Sequence, residues 1–83
     1  MSTNQFANEP AVVRAIRLLG GPSEAARRLS KRTDTKLSQQ RVSYWLSVER
    51  LTSAEFALAI EQELSGEVTR HDLRPDIYPQ EAA

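Results

Sequence analysis

Apolar residues recur along this chain at helical spacing, interrupted by short polar runs. Val12, Ile16 and Leu19 fall on one face, with Ala15 and Leu18 alongside, which predicts a helix over 11–19. Asn8-Glu9-Pro10 reads as its start, because Asn8 can accept from backbone N–H groups and Pro10 suits the first turn. Gly20-Gly21 ends it, since glycine tolerates the left-handed conformation. Pro22-Ser23-Glu24 opens a second helix, with Ser23 as cap and Glu24 at the positive end of the dipole. Its apolar stripe, Ala25, Ala26 and Leu29, is narrow, and the two alanines imply close approach of another helix. This helix runs to Lys31 or Arg32, and Thr33-Asp34-Thr35-Lys36 reads as a loop.

The third helix starts after Leu37, with Ser38 as cap. Val42, Trp45 and Leu46 share one face, and that spacing makes Trp45 a core residue. Gln39, Gln40 and Ser43 lie off that face, with Tyr44 nearby. After a connection over 47–50, Thr52 and Glu55 read as a capping box for a fourth helix, with Phe56, Ala57, Ile60 and Leu64 inward and Gly66 closing it. Thr69 and Asp72 cap a last short turn through Leu73, and Pro75 and Pro79 stop regular structure after it. Ile77 and Tyr78 are expected to dock as an anchored tail. No alternation long enough for a strand and no internal repeat occurs. The expected architecture is a single all-α domain over 8–79, a compact bundle of four to five helices, with flexible ends at 1–7 and 80–83.

Composition narrows the function classes. The hydrophobic class makes up 40% of 83 residues, and ten of those residues are alanine, so one small core is all the chain can build. No apolar run is long enough to span a membrane. The N-terminus has no positive region and no apolar core, so no secretory signal is read. There is no cysteine and one histidine, which excludes disulfides, thiolate chemistry and multi-histidine metal sites. A cofactor-free, metal-free domain in the bacterial cytoplasm is expected. His71 beside Asp72 invites a catalytic reading, yet no nucleophile has a local motif and no glycine-rich loop exists. A capping or packing role is expected there, and no enzymatic activity.

Formal net charge is zero but unevenly placed. Residues 14–50 hold nine Lys/Arg against three Asp/Glu; residues 51–83 hold two against seven. Such a chain can present one basic face to phosphates, or carry its charges as solvated groups around the molecule. Arg27–Lys31 and Arg28–Arg32 are like-charge pairs four residues apart, a strain that bound phosphate would relieve.

The second and third helices together have the chemistry of a helix-turn-helix. The first helix of such a motif crosses the phosphates, and the second enters the major groove N-terminus first. Glutamine there can pair bidentately with adenine, and serine can meet several base edges. At Ala26, Leu29, Leu37, Val42, Trp45 and Leu46 the chain resembles Cro/C1-type helix-turn-helix phage repressors. The stretches Gln40-Arg41-Val42-Ser43-Tyr44-Trp45-Leu46, Ala57-Leu58-Ala59-Ile60-Glu61 and Val68-Thr69-Arg70-His71-Asp72-Leu73-Arg74-Pro75 are more specific. They resemble the YdaS type of Cro-like prophage regulators, also described as candidate antitoxins. The resemblance covers roughly 12–79 and implies a lambda-repressor-like fold.

It further implies base reading by Ser38, Gln39, Gln40, Ser43 and Tyr44, with Arg41 reaching phosphate or guanine and Ser23 a phosphate. Arg27, Arg28, Lys31, Arg32 and Lys36 complete the candidate phosphate set. One departure stands out. The tight turn of the motif takes glycine after the position of Leu29; here Ser30 stands there, and seven residues separate Leu29 from Leu37. The resulting expectation is a prophage repressor that blocks transcription by occupying double-stranded operator DNA, as a homodimer at least when bound. The alternative is an antitoxin-type module that neutralises a protein partner, a toxin.

Overall fold

The computed structural model describes residues 9–79; the expected flexible ends and the Asn8 cap lie outside them. Helix α1, Ala11–Leu18, begins at Pro10, which stands one residue outside the first turn as the N-cap. The Pro10 carbonyl accepts from the N–H groups of Val13 and Arg14 at 3.0 and 3.3 Å. Val12, Ala15, Ile16 and Leu19 are buried. Leu18 is exposed instead of joining them, because two residues beyond Ile16 is the opposite side of a helix. Gly20 and Gly21 both take positive φ, and the Gly21 N–H returns to the Ile16 carbonyl at 2.9 Å. A Cβ on Gly20 would meet Glu24 Cγ at 3.1 Å, so the turn is tight as well as left-handed.

Helix α2, Pro22–Thr33, takes Gly21 as its N-cap, with Pro22 in its first turn. Ser23 is therefore inside the helix and not its cap, a correction that releases its hydroxyl for another partner. Ala25, Ala26 and Leu29 are buried as the stripe requires. The helix outlasts its expected end by a residue, and Asp34 closes it in the left-handed conformation, at φ 58°. The long connection that follows is held by Ser30, whose Oγ accepts from the Leu37 N–H at 2.8 Å and donates to the Leu37 carbonyl at 3.2 Å. Serine at the usual glycine position thus ties both ends of the enlarged turn together.

Helix α3, Gln39–Tyr44, has Ser38 as N-cap, its Oγ accepting from the Arg41 N–H at 3.1 Å. The helix continues into a π-helical turn, Trp45–Glu49, where a connection from Ser47 was expected. Arg50 ends that turn at φ 60°, its N–H donating to the Trp45 carbonyl at 2.7 Å. Trp45 is fully buried and meets Phe56 of α4 at 5.6 Å between ring centroids, tilted by 53°. Val42 is buried beside it, and Leu46 is half-buried against the same core.

Helix α4, Ala54–Glu63, buries Phe56, Ala57, Ala59 and Ile60, with Leu64 half-buried beyond its end. Its expected capping box is absent. Ser53 is the N-cap and makes no side-chain cap; Thr52 is 2% exposed, and its carbonyl accepts from Arg74 Nη1 at 2.7 Å. Tertiary burial of Thr52 removes its hydroxyl from the helix end. The box at Thr69 and Asp72 does form, through reciprocal bonds of 3.2 and 3.0 Å, and starts α5, Arg70–Leu73. His71 Nδ1 lies 2.8 Å from the Tyr78 carbonyl, which can only accept, so Nδ1 carries the proton there. The tail docks through Tyr78, with the Arg70 guanidinium 5.7 Å from its ring centroid, while Ile77 stays exposed. The described chain is an all-α bundle around one core, to which all five helices contribute. Leu29 is wholly buried in it, and truncation to alanine would cost about 2–5 kcal/mol.

Candidate nucleic-acid interface

Helices α2 and α3 pack against each other, and their N-termini meet through one side-chain bond. Ser23 Oγ donates to Gln39 Oε1 at 3.2 Å. That bond tethers the Gln39 side chain, and because a serine hydroxyl can donate or accept, it does so from either end of the amide. With the hydroxyl donating, one lone pair of Oε1 is taken, one lone pair remains, and Nε2 still has both protons. Gln39 therefore keeps the donor–acceptor pair that an adenine edge requires. The Ser23 hydroxyl has one proton, and Gln39 receives it. Any anion at the start of α2 falls instead to the backbone N–H groups of Ser23 and Glu24, which make no backbone hydrogen bond among the described residues.

Gln40, Ser43 and Tyr44 are exposed on the same side of α3, opposite buried Val42 and Trp45. Ser38 is exposed at its start, with one lone pair engaged by the cap and its proton still available. The five residues singled out for base reading thus form one solvent-facing surface along the first turns of α3.

The candidate phosphate set does not stay together. Arg27, Arg28, Lys31 and Arg32 surround Glu63 in a hollow on the flank of α2 and α4. Arg28 Nη2 and Arg32 Nε approach the Glu63 carboxylate at 2.7 and 2.6 Å, and Arg28 Nη1 also donates to the Leu19 carbonyl at 3.2 Å. Arg32 and then Arg28 hold the Glu63 carboxyl below its ordinary range by these hydrogen bonds. Arg27 pairs with Glu24 one turn back, and this bond lowers the Glu24 carboxyl in the same way. The like-charge strain along α2 is therefore relieved inside the chain, by Glu24 and Glu63, without any bound phosphate. Lys31 shares this flank without an ion pair among the described residues.

Lys36 and Arg41 lie elsewhere. With Thr35 and Ser38 they line an open cleft of about 670 Å³ between the starts of α3 and α4. Neither has an ion pair among the described residues. The far wall is the N-terminus of α4, Ser53–Glu55, where no side chain caps the backbone N–H groups. Two cations and the positive end of a ten-residue helix make this cleft attractive to an anion, with the Glu55 carboxylate opposing. The sequence reading missed the α4 terminus because Thr52 and Glu55 carry the signature of a box that would have closed it.

No helix of the described residues is long and apolar enough to cross a membrane. No curated protein and no solved structure matches the chain. A family model does, over residues 12–82, and its description is "Bacterial toxin YdaS". That match spans nearly the whole chain and includes α1 to α5 and the docked tail, so the chain belongs to the YdaS family.

Proposed function

We propose that this chain is a sequence-specific DNA-binding regulator of transcription, a Cro-like prophage repressor acting in the bacterial cytoplasm. The bond from Ser23 to Gln39 carries the reading, because it holds a glutamine amide at the exposed start of α3. Helix α3 enters the major groove with Gln39 and Gln40 foremost, and Ser38, Ser43 and Tyr44 flank them at the base edges. Backbone N–H groups at the starts of α2 and α4, with Lys36 and Arg41, hold phosphates on either side. Arg28 and Arg32 serve the fold, and Arg27 and Lys31 add long-range attraction. Bound at an operator, the protein blocks RNA polymerase. It performs no catalysis in this account.

The family description names a toxin, and it favours a second reading in which the chain is part of a toxin–antitoxin pair and works through a protein partner. Binding to DNA from the region beside its own gene, against scrambled DNA at two salt concentrations, separates the two. A repressor prefers the native DNA at both concentrations, with affinity falling as salt rises. Equal, weak binding to both, erased by salt, leaves the protein-partner reading.

A further inference from the structure

The stretch His71-Asp72-Leu73-Arg74-Pro75 has no role in the interface proposed above. Leu73 is buried in the core, and Arg74 follows it with a side chain only 17% exposed. Arg74 Nε and Nη2 donate to the Asp76 carboxylate at 3.1 and 2.8 Å. The Arg74 carbonyl accepts from the N–H groups of Ile77 and Tyr78 at 3.1 and 2.8 Å. Backbone and guanidinium are thus both fixed, and Nη1 reaches the Thr52 carbonyl, 22 residues back, at 2.7 Å. No other side-chain hydrogen bond reaches residues 51–53 among the described residues. The Ser53 side chain caps nothing, and the buried Thr52 hydroxyl has no partner there.

What Arg74 holds is a peptide unit. The Thr52–Ser53 bond is trans, so its C=O and N–H point in opposite directions. Arg74 takes the carbonyl, and the Ser53 N–H is therefore directed away from the guanidinium. A cation on the oxygen draws electron density from the amide nitrogen and makes that N–H a stronger donor. The N–H groups of Ser53, Ala54 and Glu55 make no backbone hydrogen bond among the described residues. Two hollows flank this peptide. Arg74, Glu49 and Leu51 line one of about 390 Å³, and Lys36 and Ser38 line the open cleft already described. Arg41 and Ser53 line both. Glu49 opposes an anion on the Arg74 side, so a phosphate belongs on the Lys36 side. We propose that Arg74 is a positioning residue for phosphate binding: it holds and polarises the Thr52–Ser53 peptide, whose N–H, beside Lys36 and Arg41, donates to a DNA phosphate. Arg74 itself touches no phosphate. The inference rests on the DNA reading proposed above.

Native duplexes in which one phosphate at a time is replaced by a neutral methylphosphonate test this role. Among the positions that weaken wild-type binding, one should cost about tenfold in the wild type and only about twofold in Arg74→Gln. On the unmodified duplex Arg74→Gln should bind about fivefold more weakly, with its preference at every base pair kept. Arg74→Lys, which can still donate to the Thr52 carbonyl, should recover part of that loss. Equal penalties in wild type and Arg74→Gln at every phosphate, or an unchanged affinity well below the melt, overturn the inference, because a merely structural arginine couples to no single phosphate. Should Arg74→Gln fail to fold, Asp76→Asn at an exposed residue loosens the same guanidinium and should shrink the same penalty; a penalty left unchanged overturns the inference. Without DNA, the amide NMR signals of Ser53, Ala54 and Glu55 in the full chain should shift on titration with inorganic phosphate, and shift less in Arg74→Gln. A wild type without preference for its native DNA removes the repressor reading, and the inference then stands on those phosphate shifts or falls with their absence.

Discussion

On the flank of α2, Arg28 and Arg32 close on Glu63 and Arg27 closes on Glu24; at the start of α3, Lys36 and Arg41 have no such partner among the described residues. In sequence the two groups are alike, basic residues among polar ones. Their surroundings separate them. Arg28 and Arg32 tie α2 to the end of α4 and hold the inter-helix geometry. Lys36 and Arg41 stand beside an uncapped helix end and Gln39, where a ligand's negative charge would be neutralised. A basic count thus overstates the binding surface whenever a carboxylate from a distant segment folds onto it.

The largest effect that sharpens this contrast is expected at the α3 cleft. Lys36→Ala combined with Arg41→Ala should weaken DNA binding about tenfold or more at physiological salt. Each lost contact should lower the log–log salt slope by about one. Melting temperature should not move, because neither side chain is paired within the described chain. A large drop in melting temperature would assign them to the fold instead.

Glu63→Gln should act in the opposite sense. It leaves two guanidinium groups one turn apart without their carboxylate, a loss of about 1–2 kcal/mol. In a domain of this size that is a fall of about 4–8 °C per kcal/mol in a thermal melt. Operator preference measured well below the melt should persist. Loss of preference at intact stability would place the α2 flank in the interface.

Acid denaturation sharpens the point further. The Glu63 carboxyl lies below its ordinary 4.5 in the folded chain. Between that value and the lower folded one, the unfolded state binds more protons, so the Glu63 contribution is full above 4.5 and is lost as pH falls through the folded value. Stability measured by urea titration should therefore decline below that point, and Glu63→Gln should show a shallower decline. The smallest effect is expected at Arg27→Ala. This exposed pair, 63% and 42% exposed, spans one helical turn, and its loss should leave the melting temperature unchanged within error.

Much of the scaffold was legible because it is local. Ser38 caps α3, and Thr69 with Asp72 boxes α5, since each motif is decided within three residues. The apolar faces of α2 and α3 follow from spacing alone. Features set by distant contacts were not legible. Thr52 reads as a cap until the Arg74 bond and burial are seen, and Glu63 lies 35 residues from Arg28 along the chain. The π-helical turn at Trp45–Glu49 follows no local sequence pattern. The exposed glutamines of α3 were singled out in sequence; the Ser23 bond that tethers Gln39 was not, because Ser23 reads first as a helix cap.

The central claim is that a tethered Gln39 reads a base, and it is tested most directly by binding of Gln39→Ala to the native site and to variants with each base pair changed in turn. The account predicts a loss of about 1–3 kcal/mol on the native site, with discrimination erased at one base-pair position and retained at the others. Stability should be unchanged. Unaltered affinity and an unaltered preference at every position would contradict it.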